Sequence, residues 1–347
     1  MTDSTSDATP TTDKLVSDVL ATIDRERERE IVSRRFGLFD RRETLEQIGE
    51  MLGITRERVR QLEKSVVTRL AQTAEQGSLP HIADFQQRVL AILSQHGQAA
   101  RVSELAAKLN DGEANREEQA RVSFLSQLAP ELSVVSEDDN YYNGVAAKSA
   151  YDEKSLKEQV SALVDTIKQI GEPKDIKAIA KAAGIEDAKQ AEALASLSKH
   201  LATLNGRWGL VKWPMVNPKN IRDKIYVILK EQGKHMHFNE IAEAIKASSF
   251  KRKDVTTQAI HNELIKDKRF VLIGRGIYAL KEWGYEKGTV ADIITDVLKA
   301  ANEPLHRDEI VKRVLKSRFV KETTILLNLQ GKPQFKRVAK ATYTLAE

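Results

Sequence analysis

The stretch T-L-E-Q-I-G-E-M-L-G-I-T-R-E-R-V-R-Q-L-E-K-S-V-V-T-R-L, from Thr44 to Leu70, decides the fold of the N-terminal part of the chain. Thr44 to Gln47 has the form of a capping box, in which the N-cap threonine and the third helical residue satisfy each other's backbone N–H groups. Leu45, Ile48 and Leu52 fall on one face of the short helix that follows. Gly53 stops that helix, because glycine enters the left-handed conformation at little cost. Thr55 then caps a second helix, and Ile54 and Val59 occupy the two positions of a hydrophobic staple. Gly49 leaves room for the second helix to come close. Two helices joined by a short glycine-containing turn are a helix-turn-helix.

The second helix separates its faces. At 100° per residue, Val59, Leu62, Val66 and Leu70 form one apolar stripe, and Arg56, Glu57, Arg60, Gln61 and Lys64 lie opposite. Those side chains suit base edges: Arg bonds guanine through both arms of its fork, Gln pairs with adenine, and Glu accepts from cytosine. They stand in the first turns, which enter a major groove deepest. Spacing alone fits a solvated charged face on a core helix equally well.

R-E-R-E-I-V-S-R-R-F-G-L (Arg27 to Leu38), followed by Thr44 to Glu63, closely resembles region 4 of the housekeeping sigma factors of bacterial RNA polymerase. The resemblance runs from Leu20 to Leu70. It implies that this helix reads a −35-type promoter element in duplex DNA. Arg56, Glu57, Arg60 and Gln61 would contact bases, with Arg58 and Lys64 nearer the phosphates. It also implies docking on the flap of the polymerase β subunit, through the segment matching Ile31 to Leu38. The stretch before the motif is too short for the core-binding and promoter-melting domain of a complete sigma factor, so a sigma-like regulator is expected.

The chain has 347 residues, 41% of them hydrophobic and 30% charged, with aromatics at only 5%. Cores must therefore be built from Leu, Ile, Val and Ala, which suits small helical modules. The absence of cysteine excludes disulfides, zinc–thiolate sites and cysteine nucleophiles. No apolar run suggests a membrane span, and the first residues lack a signal-peptide pattern, so a cytoplasmic, nucleoid-associated protein is expected. No phosphate-binding glycine loop, nucleotide fingerprint or nucleophile elbow appears, so neither an enzyme nor a cofactor is expected. His235 and His237 lack companion ligands and read as flanks of a core helix rather than a metal site.

Net charge is +5, unevenly spread: residues 82–147 carry −5, residues 217–287 +6 and residues 288–347 +4. A polyanion would favour the C-terminal third. Beyond a linker at residues 73–81, the chain repeats. Amphipathic helices beginning near Phe85, Leu156, Ile221 and Val290 are each followed by a second helix, from Val102, Lys174, Phe238 and His306. Each repeat closes on two β-prone runs around a turn. These are Val134-Val135 with Tyr141-Tyr142, the runs around Asn205-Gly206, Phe270–Ile273 with Ile277–Leu280, and Phe335–Val338 with Thr342–Leu345. Three helices and a hairpin describe a winged helix.

The third repeat, from Ile221 to Trp283, resembles the HARE-type winged helix through H-F-N-E-I-A-E-A-I (His237 to Ile245) and G-R-G-I-Y-A-L (Gly274 to Leu280). In it Lys251, Arg252 and Lys253 precede the third helix, where phosphates meet helix-end amides. Arg275 at the hairpin tip suits a minor groove. An ordinary solubilising surface fits these residues equally well. The first hairpin tip, Glu137-Asp138-Asp139, would repel DNA and is expected to contact protein or act as a spacer.

The expected fold is mainly α: a tail at residues 1–13, a helix-turn-helix domain at 14–72, and four tandem winged helices at 82–147, 148–216, 217–287 and 288–347. The expected function is sequence-specific DNA binding in transcription regulation. The alternatives are a polymerase-associated interaction protein, delta-like or flap-docking, with incidental DNA contact, or a divergent sigma factor.

Overall fold

A computed structural model describes residues 11–110, 112–250, 252–285 and 287–346. It is mainly helical, with four small antiparallel sheets of three strands each among the described residues. The chain divides into two compact units, Met1–Val211 and Lys212–Glu347.

The first unit opens with α1 (Thr12–Ala21), α2 (Glu26–Phe36), α3 (Leu45–Leu52) and α4 (Arg56–Glu75). Most of the expected tail, residues 1–10, lies outside the described residues. Its last residues belong to α1, which Thr11 caps by accepting from the Lys14 N–H. The capping box at Thr44 is present, with the Gln47 N–H on Thr44 Oγ1 at 3.2 Å and the Thr44 N–H on Gln47 Oε1 at 2.9 Å. Thr44→Ala should therefore lower stability by about 1 kcal/mol, read as a shifted urea midpoint. An unchanged midpoint would mean that water replaces the cap without loss. Gly53 ends α3 in the left-handed conformation at φ 65°. At Gly49 a Cβ would stand 2.7 Å from the Ile54 carbonyl oxygen, so the glycine admits the turn itself.

The unit continues through α5 (Ile82–Gln95), β1 (Ala99–Arg101), α6 (Val102–Leu109), α7 (Arg116–Leu128), β2 (Leu132–Val135) and β3 (Gly144–Ala147). It closes with α8 (Glu153–Ile170), β4 (Lys174–Asp175), α9 (Ile176–Ala183), α10 (Ala188–Leu197), β5 (Leu201–Leu204) and β6 (Arg207–Leu210). Each series runs helix, short strand, two helices, hairpin. The last strand is central in each sheet, in the orders β1-β3-β2 and β4-β6-β5. That arrangement is consistent with a winged helix. Asn205 and Gly206 form the two-residue β5–β6 turn with φ 50° and 74°, the paired positive angles such a turn requires.

Three features differ from the sequence expectation. Lys174-Asp175, read as helix, is a strand, as are residues just before the second helix in the other repeats; two or three residues are too few to show alternation. The first hairpin is completed by Gly144–Ala147 and not by Tyr141-Tyr142. The Asp138 carboxylate accepts the N–H groups of Asn140 and Tyr141 and folds that stretch into a turn. Finally, residues 73–81 are no free spacer. α4 runs on to Glu75, and Ala74 and Leu79 are buried in one core that joins Val16 of α1, Val66 and Leu70 of α4, and Phe124 and Leu125 of α7.

The second unit repeats the same order twice. α11 (Ile221–Gln232), β7 (Met236–His237), α12 (Phe238–Ala247), α13 (Thr257–Lys266), β8 (Phe270–Gly274) and β9 (Ile277–Leu280) come first, followed by a 3-10 turn at Lys281–Trp283. α14 (Val290–Ala301), β10 (Leu305–His306), α15 (Arg307–Ser317), α16 (Glu322–Gly331), β11 (Phe335–Ala339) and β12 (Thr342–Leu345) follow. Their sheets have the orders β7-β9-β8 and β10-β12-β11.

Candidate nucleic-acid interface

α4 is fixed on two apolar supports. Its first turns bury Val59 with Ile31 and Ile48, and Ile54 and Leu62 pack around that cluster, so the staple forms. Further along, Val66 and Leu70 enter the larger core. Ion pairs set the angle against α2. The largely buried Glu28 carboxylate accepts from Arg69 at 2.7 Å and from Arg25 at 3.3 Å. Arg35 meets Glu63 at 3.2 Å, and Arg27 donates to the Leu52 carbonyl at 2.6 Å. Apart from the local Arg25–Glu28 pair, these braces were not evident from the sequence, because they join residues more than twenty positions apart whose partners periodicity does not name.

With the apolar stripe turned inward, Arg56, Glu57, Arg58, Arg60, Gln61 and Lys64 are all exposed on one helix. Ser65, Thr68, Arg69 and Gln72 extend the stripe along a shallow concavity that begins at Arg60. The expected readers are thus brought together, and they also hold one another. Arg60 grips Glu57 through both arms of its fork, Nε to Oε2 at 2.9 Å and Nη2 to Oε1 at 2.7 Å. Arg56 pairs with Glu46 of α3 at 2.9 Å, and Arg58 donates to Gln61 Oε1 at 3.3 Å. The hydrogen bond from Arg60 holds the Glu57 carboxyl below the usual carboxylate range, and the same bond raises Arg60. The fork that takes a carboxylate also fits the O6 and N7 of guanine. Exposed pairs of this kind are weak and exchange readily for another anion or acceptor.

The second set of candidate residues is more dispersed. Lys251 lies outside the described residues. Arg252 and Lys253 are exposed on the loop before α13, ahead of Thr256, whose own hydroxyl accepts from Ala259 N–H and caps the helix. The buried Lys224 ammonium donates to the Arg252 carbonyl at 2.6 Å, and burial lowers the pKa of that lysine. Arg275 is exposed at the β8–β9 tip, on a different element. His237 caps α12 through Nδ1, and His235 lies 4.3 Å from the Phe319 ring, so both are engaged at structural positions.

The acidic tip of the first hairpin is occupied within the first unit. Glu137 pairs with Lys199 at 2.8 Å, and the Tyr142 N–H donates to the Leu197 carbonyl at 2.9 Å. The Arg101 guanidinium stacks 3.8 Å over the Tyr142 ring.

Residues 25–72 match the family described as Sigma-70, region 4. A curated relative, RNA polymerase sigma factor sigB of Arabidopsis thaliana, is 51% identical over 45 residues. That alignment covers 13% of this chain and spans only 8% of the relative's length. The likeness is to a sigma-type DNA-binding segment, and it coincides with α2, α3 and most of α4. Among the described residues, no helix is long and apolar enough to cross a membrane.

Proposed function

We propose that the chain is a bacterial-type, sigma-like transcription regulator that reads a promoter-type element by laying α4 in the major groove of duplex DNA. The carrying observation is the single exposed stripe of Arg56, Glu57, Arg60 and Gln61, held by two cores and ion-paired braces within the sigma-like segment. On this reading Arg58 and Lys64 face phosphates, and the four helix–strand–helix–helix–hairpin repeats are winged-helix domains. The third is HARE-type, with Arg252 and Lys253 as further phosphate contacts and Arg275 directed at a minor groove. The role is binding, with no catalytic step and no cofactor, and the setting is the cytoplasm at the nucleoid. The Arabidopsis thaliana relative is named an RNA polymerase sigma factor, and on that likeness association with a polymerase belongs to the same proposal.

Flap docking through Ile31 to Leu38 is the less favoured reading. Ile31, Val32 and Leu38 are fully buried, Phe36 lies 4.9 Å from the Phe124 ring, and Arg121 of α7 donates to the Leu38 carbonyl at 2.7 Å. A flap would have to displace α7 to reach Phe36 and Leu38, and Ile31 is closed off by Ile48 and Val59.

The test is selection of binding sites from a random duplex library by the full chain, followed by Arg60→Ala. Loss of a bidentate base contact should weaken the selected site roughly ten- to hundredfold while random duplex changes much less. Equal losses on both would assign Arg60 to the backbone, and failure to select any site would remove the sequence-reading role.

A further inference from the structure

The hairpins of the third and fourth repeats are built to one pattern. Phe270 pairs with Leu280 as Phe335 pairs with Leu345, and Leu272 faces Tyr278 as Arg337 faces Tyr343. Both ladders then shift at the same point, so that Gly274 meets Ile277 and Ala339 meets Thr342. Position by position, the two wings can therefore be compared directly.

In the third repeat one side of the wing is a small core. Val271, Ile273 and Ala279 are buried, with Ile277, Trp283 and Tyr285 packed against them. At the matching positions the fourth repeat has Lys336, Val338, Thr344 and Thr342. Lys336 is exposed and Val338 is 48% exposed, so this face is open and carries a cation where its counterpart is apolar and covered. Arg337, exposed at the position of the likewise exposed Leu272, adds a second cation on the other face of the strand. Lys340 is exposed at the tip and Lys332 at the approach. From residue 323 to residue 346 the sequence holds these four basic residues and no Asp or Glu. In a chain where acids nearly balance bases, such a stretch leaves its positive field uncompensated. The contrast with α4 is direct, since Arg56 and Arg60 there are paired with carboxylates.

We propose that the β11–β12 wing is a phosphate-binding surface for duplex DNA, formed by Lys332, Lys336, Arg337 and Lys340. Duplex DNA is favoured over other polyanions for two reasons. A two-stranded ribbon fits a groove of the duplex, where both walls are lined by phosphates. The surface also carries charge without the row of large apolar side chains that an interfacial membrane anchor buries. The wing contributes sequence-independent affinity through counterion release. The choice of DNA as the polyanion rests on the proposed function, but the site stands on its own geometry.

The experiment uses the full chain and a random-sequence duplex titrated across a range of potassium chloride. Its variants are the triple substitution Lys336→Gln, Arg337→Gln, Lys340→Gln and the same set changed to Glu. A control triple, Lys177→Glu, Lys181→Glu, Lys189→Glu, changes formal charge equally on the second repeat. All six residues are exposed, and circular dichroism melting verifies the fold of each variant. The wing variants should lose about tenfold or more in affinity at moderate salt, and the slope of log K against log salt should fall by about 2–3, near 0.9 for each lost phosphate contact. The control triple should leave the slope unchanged. Equal behaviour of wing and control variants would overturn the proposal. So would capture of the wild type by phosphatidylserine vesicles, lost in the wing variants while their DNA binding persists. Discrimination between selected and random duplexes should survive in the wing variants and fall roughly ten- to hundredfold with Arg60→Ala. A chain without sequence discrimination whose wing variants still lose slope would refute the groove-reading role and leave this surface intact.

Discussion

Phe124→Ala is expected to cost about 3–5 kcal/mol of unfolding free energy, and to loosen the helix-turn-helix together with the repeat that follows it. Phe124 is fully buried on α7, with the Phe36 ring of α2 tilted against it at 4.9 Å. Val32, Leu38, Val66 and Leu70 from the sigma-like segment share that core with Val122, Leu125 and Leu128. Truncating the ring leaves a cavity at the seam, and both sides lose partners. Hydrogen exchange tests the claim through the amides of α4. They should lose protection in parallel with those of α7, as parts of one cooperative unit. Protection of α4 that outlasts that of α7 in the variant would show two independently stable modules. Residues 14–81 made alone should likewise be marginal, because Leu70, Ala74 and Leu79 would lose the α5 and α7 side of the core. A fragment continuing through Ala147 retains the core.

The reach of the sequence followed the range of the interactions. Thr44 with Gln47, Gly53, Thr55 and the Asn205-Gly206 turn are local devices, each complete within a few residues, and each appears where the pattern placed it. The apolar stripe of α4 was equally legible, and with it the exposed polar face opposite. Two kinds of feature were not. Short strands such as Met236–His237 and Leu305–His306 owe their existence to the hairpin beside them, and two residues carry no period of their own. Long-range packing was also hidden. Nothing near residue 73 announces that Leu79 turns inward, because the core it joins is assembled from α1, α4, α5 and α7, whose packing together is not written in the local pattern. Aromatic character misled at Tyr141-Tyr142. Those side chains resemble a strand, yet Tyr141 forms only an isolated bridge to Ser198, and Tyr142 serves as a platform for Arg101. At the interface, the kinds of side chain were visible but their mutual pairing was not. Arg60 and Glu57 were expected as two separate contacts, whereas in the folded chain each holds the other.

The junction between the first two repeats makes the second large prediction. Gly97 lies just beyond α5 at φ 73°, and a Cβ there would stand 2.6 Å from Gln190 Cα and also collide with the Lys189 carbonyl oxygen. Both obstacles are backbone atoms of α10, so no side chain can swing away to make room. Gly184 closes α9 at φ 70° with nothing near its missing Cβ. Gly184→Ala should therefore cost only the left-handed strain, about 1–2 kcal/mol. Gly97→Ala adds overpacking to the same strain and should cost roughly 2–5 kcal/mol in total. Relief comes only if α10 backs away from β1. That movement would break the bonds from Arg101 to the Ser196 carbonyl and from the Tyr142 N–H to the Leu197 carbonyl. The Gly97 variant should accordingly exchange its Tyr142 amide faster and become sensitive to protease between α7 and α8, whereas the Gly184 variant should do neither. Equal destabilisation of the two variants would mean that the close approach at Gly97 relaxes without cost, and the two repeats would then be hinged where the packing makes them rigid.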